Sequence, residues 1–169
     1  CADGTVKLWD VNTGAELKTF EGQLDAVRGV AFSPDGKTIL SGCADGTVKL
    51  WDVNTGAELK TLDGEGFGDV QGVAFSPDGK TIASGSRHGT VKVRDIATGS
   101  MLKTFGDQLD AVLSVSVSPD GKTIAIGSLD DMFILWDVDT GARLDTLKGN
   151  ESGTYPACVA ISPDGKTIA

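Results

Sequence analysis

Runs of six or seven residues in which apolar side chains alternate with polar ones are divided along the whole chain by turns rich in Gly, Pro and Asp. Val27–Phe32 reads as one such strand, and Ser33-Pro34-Asp35-Gly36 as the turn that follows. Proline fixes φ in that turn and glycine accepts positive φ. Lys37–Gly42 reads as a second strand, ended by Ala44-Asp45-Gly46. Thr47–Val53 is a third, rich in β-branched and aromatic side chains, and Ala57–Leu62 a fourth beyond Asn54-Thr55-Gly56. Four short strands joined by tight turns predict one antiparallel sheet.

The unit repeats. Ser-Pro-Asp-Gly-Lys-Thr-Ile begins at Ser33, Ser76, Ser118 and Ser162, a step of 42 to 44 residues. Trp9-Asp10, Trp51-Asp52, Arg94-Asp95 and Trp136-Asp137 keep the same step. A period of about 40–45 residues with Trp-Asp closing a β run predicts an all-β propeller of four-stranded antiparallel blades, four per chain. A lone blade has two faces to cover, and neighbouring blades cover them, so such units close into rings. The expected organisation is a single domain over 1–169. Full blades span about 23–64, 65–107 and 108–149, and a split blade combines 1–22 with 155–169.

The copies of CADGTVKLWDVNTGAEL, together with SPDGKTIASGSRHGTVKVRD, resemble the WD-repeat β-propeller family over essentially the whole chain. They are especially similar to bacterial members with near-identical repeats. The resemblance implies a scaffold for protein–protein contacts on the narrow end or rim of the ring, and no catalysis. It assigns blade-building roles to Trp9, Asp45, Trp51, Asp130 and Trp136. The family places Gly-His before the innermost strand, its His bonding a turn Asp, a Ser or Thr and the Trp indole. The matching places here are Gly22-Gln23, Gly64-Glu65, Asp107-Gln108 and Gly149-Asn150. Gln, Glu and Asn can still donate or accept, so partial replacement networks are expected.

Loop positions vary between copies while turns and strands stay fixed. The variable set is Asp25, Phe67, Asp69, Arg87, Asp110, Leu129 and Tyr155, and these are the candidate interaction loops. His88 replaces the turn Asp seen as Asp3, Asp45 and Asp130, and Arg94 replaces the Trp. No Ser, Cys or acid with motif support stands beside His88, so it reads as structural drift rather than a base. Met132-Phe133-Ile134-Leu135-Trp136 departs from the Thr-Val-Lys-Leu of other copies and reads as buried strand packing, with an exposed docking stripe as the alternative.

Composition narrows the partners. The net charge of −9 and pI near 4.4 oppose binding to nucleic acid or to anionic membrane. No apolar run approaches the roughly 18–20 residues of a membrane span. The chain opens at Cys1 within a repeat, without Met, and reads as a processed or excised fragment. Cys1, Cys43 and Cys158 carry no CxxC or metal-like spacing, and read as reduced, small buried residues of a cytoplasmic protein. Asn150-Glu151-Ser152 reads as a chance glycosylation match.

Catalytic motifs fail one by one. Gly36-Lys37-Thr38 lacks the phosphate-loop glycine, Ala31 standing in its place, and the other copies fail at Ala74, Ser116 and Ala160. No G-x-S-x-G and no His pair occurs. Asp35, Asp78, Asp120 and Asp164 sit where a turn Asp bonds its own backbone. No enzyme activity, cofactor or metal is expected.

The two ends carry halves of one blade, lacking only a Ser-Gly pair between Ala169 and Cys1 by comparison with Ala83-Ser84-Gly85-Ser86. Left unpaired, Val6–Val11 and Val159–Ala169 would expose apolar strand edges. A four-bladed monomer would turn about 90° per blade, and two chains forming eight blades about 45°. Two-fold closure is the commonest symmetry, so a homodimer forming an eight-bladed ring is expected, its junctions burying more than roughly 2,000 Å². The expected function is a non-enzymatic interaction scaffold that also binds other proteins through ring-face loops. The alternative is a structural or engineered self-assembling fragment with no ligand of its own.

Overall fold

The computed structural model describes residues 3–23, 25–62, 68–106, 110–148 and 158–169. Strands β1 (Val6–Trp9) and β2 (Glu16–Phe20) form a two-stranded antiparallel sheet. Three four-stranded antiparallel sheets follow, each paired in chain order. The first holds β3 (Val27–Phe32), β4 (Thr38–Cys43), β5 (Val48–Asp52) and β6 (Glu58–Leu62). The second holds β7 (Val70–Phe75), β8 (Thr81–Ser86), β9 (Val91–Asp95) and β10 (Met101–Phe105). The third holds β11 (Val112–Val117), β12 (Thr123–Ser128), β13 (Met132–Asp137) and β14 (Arg143–Lys148). The strand expected over Thr47–Val53 stops at Asp52, because that carboxylate already closes the next turn, accepting the Thr55 N–H at 2.6 Å and hydroxyl at 2.8 Å.

The sheets stack through their inner edge strands: β3 packs on β7 and β7 on β11, with β4 also against β7 and β8 against β11. This spacing demands glycine at two places in each of the first two four-stranded sheets: on the inner strand, where a Cβ on Gly29 would lie 2.8 Å from the Gln71 carbonyl oxygen and one on Gly72 2.9 Å from Ser114 Cα, and on the second strand. A Cβ on Gly42 would lie 2.6 Å from Val70 Cγ1 and 2.9 Å from Val73 Cγ1, and one on Gly85 would collide with Val112 and Val115 in the same way. Each buried valine of this kind stabilises the stack by roughly 1.5–3 kcal/mol. A lysine in β2, β6 and β10 then reaches across to the turn of the following sheet, Asp145 standing at the same place in β14. Lys18 Nζ donates to the Asn54 carbonyl, Lys60 Nζ to those of Ile96 and Ala97 at 2.8 Å, and Lys103 Nζ to that of Val138 at 2.8 Å.

Residues 158–169 lie against β11, where Val159 N–H donates to Ser114 Oγ at 3.0 Å and Ile161 N–H to Ser116 Oγ at 3.2 Å. Ala160 and Ala169 exchange main-chain bonds at 3.0 Å, and Ile161 bridges Ile168. This is a hairpin with a single bridge, shorter than the two strands expected. In the complete sheets the second strand is bonded on both sides, whereas no third strand lies against 166–169 among the described residues. Cys158 is exposed, contrary to the expectation of buried thiols, while Cys43 is buried.

Within the first sheet a buried polar staple survives without histidine. Gln23 Nε2 and Trp51 Nε1 both donate to Ser41 Oγ, at 2.7 and 2.8 Å, and the Cys43 thiol donates to Gln23 Oε1 at 2.7 Å. Glutamine serves because its amide can donate and accept at once. Burial pushes the Cys43 thiol up, which keeps it a donor. In the third sheet Ile126 occupies the Ser41 position, and Trp136 Nε1, Ser128 Oγ and Asp131 Oδ1 are buried with no hydrogen-bond partner among the described residues. The run Met132–Trp136 is mixed rather than wholly buried: Ile134 is buried and its neighbours half-buried.

Candidate interaction face

The loops before each inner strand and the turns after each second strand meet at one end of the blades. Backbone bonds stitch them: Ala44 N–H donates to the Ala26 carbonyl, Arg87 N–H to that of Asp69 and Leu129 N–H to that of Ala111, all at 2.9 Å. Copy-to-copy differences at these positions are thereby set side by side. Between the second and third blades they line a cleft of about 220 Å³ walled by Arg28, Gln71, Arg87, Ala111, Leu113 and Leu129.

Asp69 anchors the polar side. Its carboxylate lies 3.4 Å from Arg28 Nε and 4.0 Å from Arg87 Nη1, and it is far less exposed than either guanidinium. Such half-exposed pairs contribute about 0–1 kcal/mol. Their consequence is positional: two guanidiniums, both well exposed, are held beside one carboxylate in the wall of the cleft. Leu113, Leu129 and Ala111 form the apolar side. The arrangement can grip a carboxylate and an adjacent apolar side chain, since guanidinium donors match a carboxylate in a planar fork.

Of the loop residues expected from sequence, Asp69, Arg87 and Leu129 come together here. Asp25 and Asp110 do not line the cleft; their carboxylates accept the next residue's N–H, Ala26 at 2.7 Å and Ala111 at 3.3 Å. Phe67 and Tyr155 lie outside the described residues, as do Cys1, Glu65, Gln108 and Asn150. Sequence reasoning missed Arg28, Gln71 and Leu113. All three occupy the same inner-strand position, and their variation between copies was the signal that could have found them. Among the blade residues, Trp51 is buried while Trp9 is half-exposed, and Asp45 accepts the Thr47 N–H at 2.8 Å and hydroxyl at 2.6 Å. Asp130 is exposed. The His88 ring abuts Gly68, whose Cβ, were there one, would sit 2.7 Å from Nε2. No cluster of three or more His, Cys, Asp or Glu fit for a metal occurs among the described residues.

The family model for the WD domain, G-beta repeat, matches residues 14–52, 56–95 and 99–137. Each matched unit runs from the fourth strand of one blade through the third strand of the next, so the repeat itself straddles the inter-blade contact. The chain is 52% identical over 40 residues to the nuclear distribution protein PAC1 of Coccidioides posadasii, a match covering 24% of this chain and 8% of that protein. It is 54% identical over 35 residues to PAC1-2 of Postia placenta, covering 21% and 8%. It is 51% identical over 39 residues to PAC1 of Mycosarcoma maydis, covering 23% and 9%. Less than a tenth of each relative's length is spanned.

Proposed function

The chain belongs to the WD-domain, G-beta repeat family, and on that premise we propose that it is a non-enzymatic protein-interaction scaffold that binds partners through the Arg28–Asp69–Arg87 cleft and assembles as a homodimer closing one eight-bladed ring. The family is generally non-enzymatic and its repeats bind other proteins. The observation that carries the choice of face is the convergence of the variable positions Arg28, Asp69, Arg87 and Leu129 around one cleft. Its chemistry fits a partner segment bearing an acidic residue beside an apolar one, presented to a local basic spot on a chain of net charge −9. Within this proposal the protein works in the cytoplasm, in keeping with the free thiols of Cys43 and Cys158.

Selection of displayed random peptides on the wild-type protein tests the face. The expected binders carry Asp or Glu next to Leu, Ile or Phe, and bind the Arg87→Glu and Leu129→Asp variants at least tenfold more weakly while the solution mass is unchanged. Binders indifferent to both substitutions would overturn the assignment. Light scattering across a dilution series tests the assembly: twice 17.4 kDa is expected, and a stable 17.4 kDa species would sink the dimer.

A further inference from the structure

Three positions of the repeat build the interaction cleft: the residue before each inner strand, the second residue of that strand, and the residue after the second strand. The second blade fills them with Asp69, Gln71 and Arg87, and the third with Ala111, Leu113 and Leu129. One blade therefore supplies a wholly polar set and its neighbour a wholly apolar one. The first blade has Ala26 and Ala44 at two of its three places and contributes Arg28 to the cleft.

The polar side carries a small and defined charge. Arg28 and Arg87 each bring one positive charge and Asp69 one negative, which leaves a single positive charge. The Asp69 side chain is 15% exposed against 45% and 68% for the two arginines, so solvent and salt screen it least. One carboxylate brings this side to neutrality. A phosphate, at about −1.5 to −2, would leave excess negative charge beside Asp69.

Building on the interaction face proposed above, we propose that the cleft receives the C-terminal residue of a partner polypeptide, with its α-carboxylate between Arg28 and Arg87 and its apolar side chain against Leu113 and Leu129. The compactness of the cleft singles out a chain end from an internal acidic residue. Its polar and apolar sides adjoin within about 220 Å³, less than the roughly 300–1,000 Å³ of pockets that take drug-sized ligands. Neighbouring side chains of an extended segment point to opposite faces, so an Asp directly before a Leu turns one of the two away. Residues two apart share a face but stand about 6–7 Å from each other along the strand. A terminal leucine presents carboxylate and side chain from one Cα. Gln71 stands in the same wall, and its amide can donate and accept at once, as the last peptide group of the partner requires.

The surroundings set the chemistry of the residues upstream. Asp110 and Asp130 adjoin Ala111 and Leu129 in the chain and are exposed, and the whole chain carries −9. Further acidic residues on the partner are repelled there, and Lys or Arg attracted. The partner is thus a polypeptide ending in Leu, Ile or Phe, with a neutral or basic stretch before its end. Asp69 acts as a specificity-determining residue: it positions the two guanidiniums and trims their charge to match one carboxylate.

Peptides displayed with free C termini and random final residues, selected on the wild-type protein, test this. The best are synthesised both as the free acid and as the C-terminal amide. The free acid is expected to bind about tenfold or more tighter than the amide, the size of a lost charge-assisted contact. Arg28→Gln and Arg87→Gln should each shrink that ratio, whereas Leu129→Ala should weaken acid and amide alike. Asp69→Asn should raise the affinity of an amidated peptide ending in phosphoserine relative to that of the free acid. None of the four substituted side chains is buried, so circular dichroism and solution mass should stay as in the wild type. Peptides that bind equally as acid and amide, yet are lost with Arg87→Glu, overturn the terminal residue as ligand and leave the cleft standing. Binders indifferent to Arg87→Glu and Leu129→Asp, or a library that yields no binder, overturn both.

Discussion

The first and third blades are built on one pattern yet hold their centres together differently. In the first, Cys43, Gln23, Ser41 and Trp51 form a continuous chain of buried hydrogen bonds. In the third, Ile126 stands in for the serine, and the Trp136 indole, Ser128 hydroxyl and one Asp131 oxygen are buried without partners among the described residues. Both blades nevertheless keep the same strand pairing, with Ile39 opposite Trp51 and Ile124 opposite Trp136. Apolar stacking between blades is common to both, and in the first blade the polar staple also fixes the tryptophan orientation.

Truncating the two tryptophans gives the largest contrast. Trp51→Ala should cost about 3–5 kcal/mol in urea unfolding, because a fully buried ring is lost and its staple opened. Trp136→Ala should cost less, the ring being only half-buried. If the two costs are equal, the staple contributes nothing.

Phenylalanine isolates the indole N–H. Trp51→Phe removes the bond to Ser41 and should lose about 1–1.5 kcal/mol, while Trp136→Phe deletes a donor with no partner among the described residues and should change stability by under about 0.5 kcal/mol. Equal losses would show that Trp136 has a partner in solution.

A third comparison concerns the turn before β13. Asp131 has φ of 64°, where the other copies have Gly4, Gly46 and Gly89, and one of its carboxylate oxygens has no partner among the described residues. Asp131→Gly should stabilise the protein by about 1 kcal/mol, measured as a raised unfolding midpoint at fixed protein concentration.

The smallest effect is one on which the blades should agree. Asp35, Asp78, Asp120 and Asp164 are held below the usual carboxylate range, chiefly by the serine hydroxyl of the same turn and then by the N–H two residues on. A carboxyl with a lowered folded pKa adds stability that is complete above its unfolded value near 3.9, and that is lost as pH falls through the folded value. Unfolding midpoints should therefore drop below about pH 4. Asp35→Asn and Asp120→Asn should blunt that drop equally, and unequal effects would mean that the blade environment reaches the turns.

Much of this was legible from local pattern alone. Period-2 alternation placed the strands, because a strand's two faces are set by successive residues. Ser-Pro-Asp-Gly placed the turns, because Pro, Asp and Gly act on backbone within four residues. The interaction loops were partly legible: variation marked Asp69, Arg87 and Leu129, but it could not show that Arg28 from one blade reaches Asp69 of the next.

What the sequence by itself determined is therefore the blade: four strands, their turns, and their repetition. Only the tertiary structure decided that Gln23 completes a staple with residues 18 and 28 positions away, and that Trp9 stands half-exposed while the identical Trp51 is buried. Those outcomes depend on which neighbour lies against a given face. Burial and hydrogen-bond pairing between blades are properties of the stack, and identical local sequences acquire different environments from it.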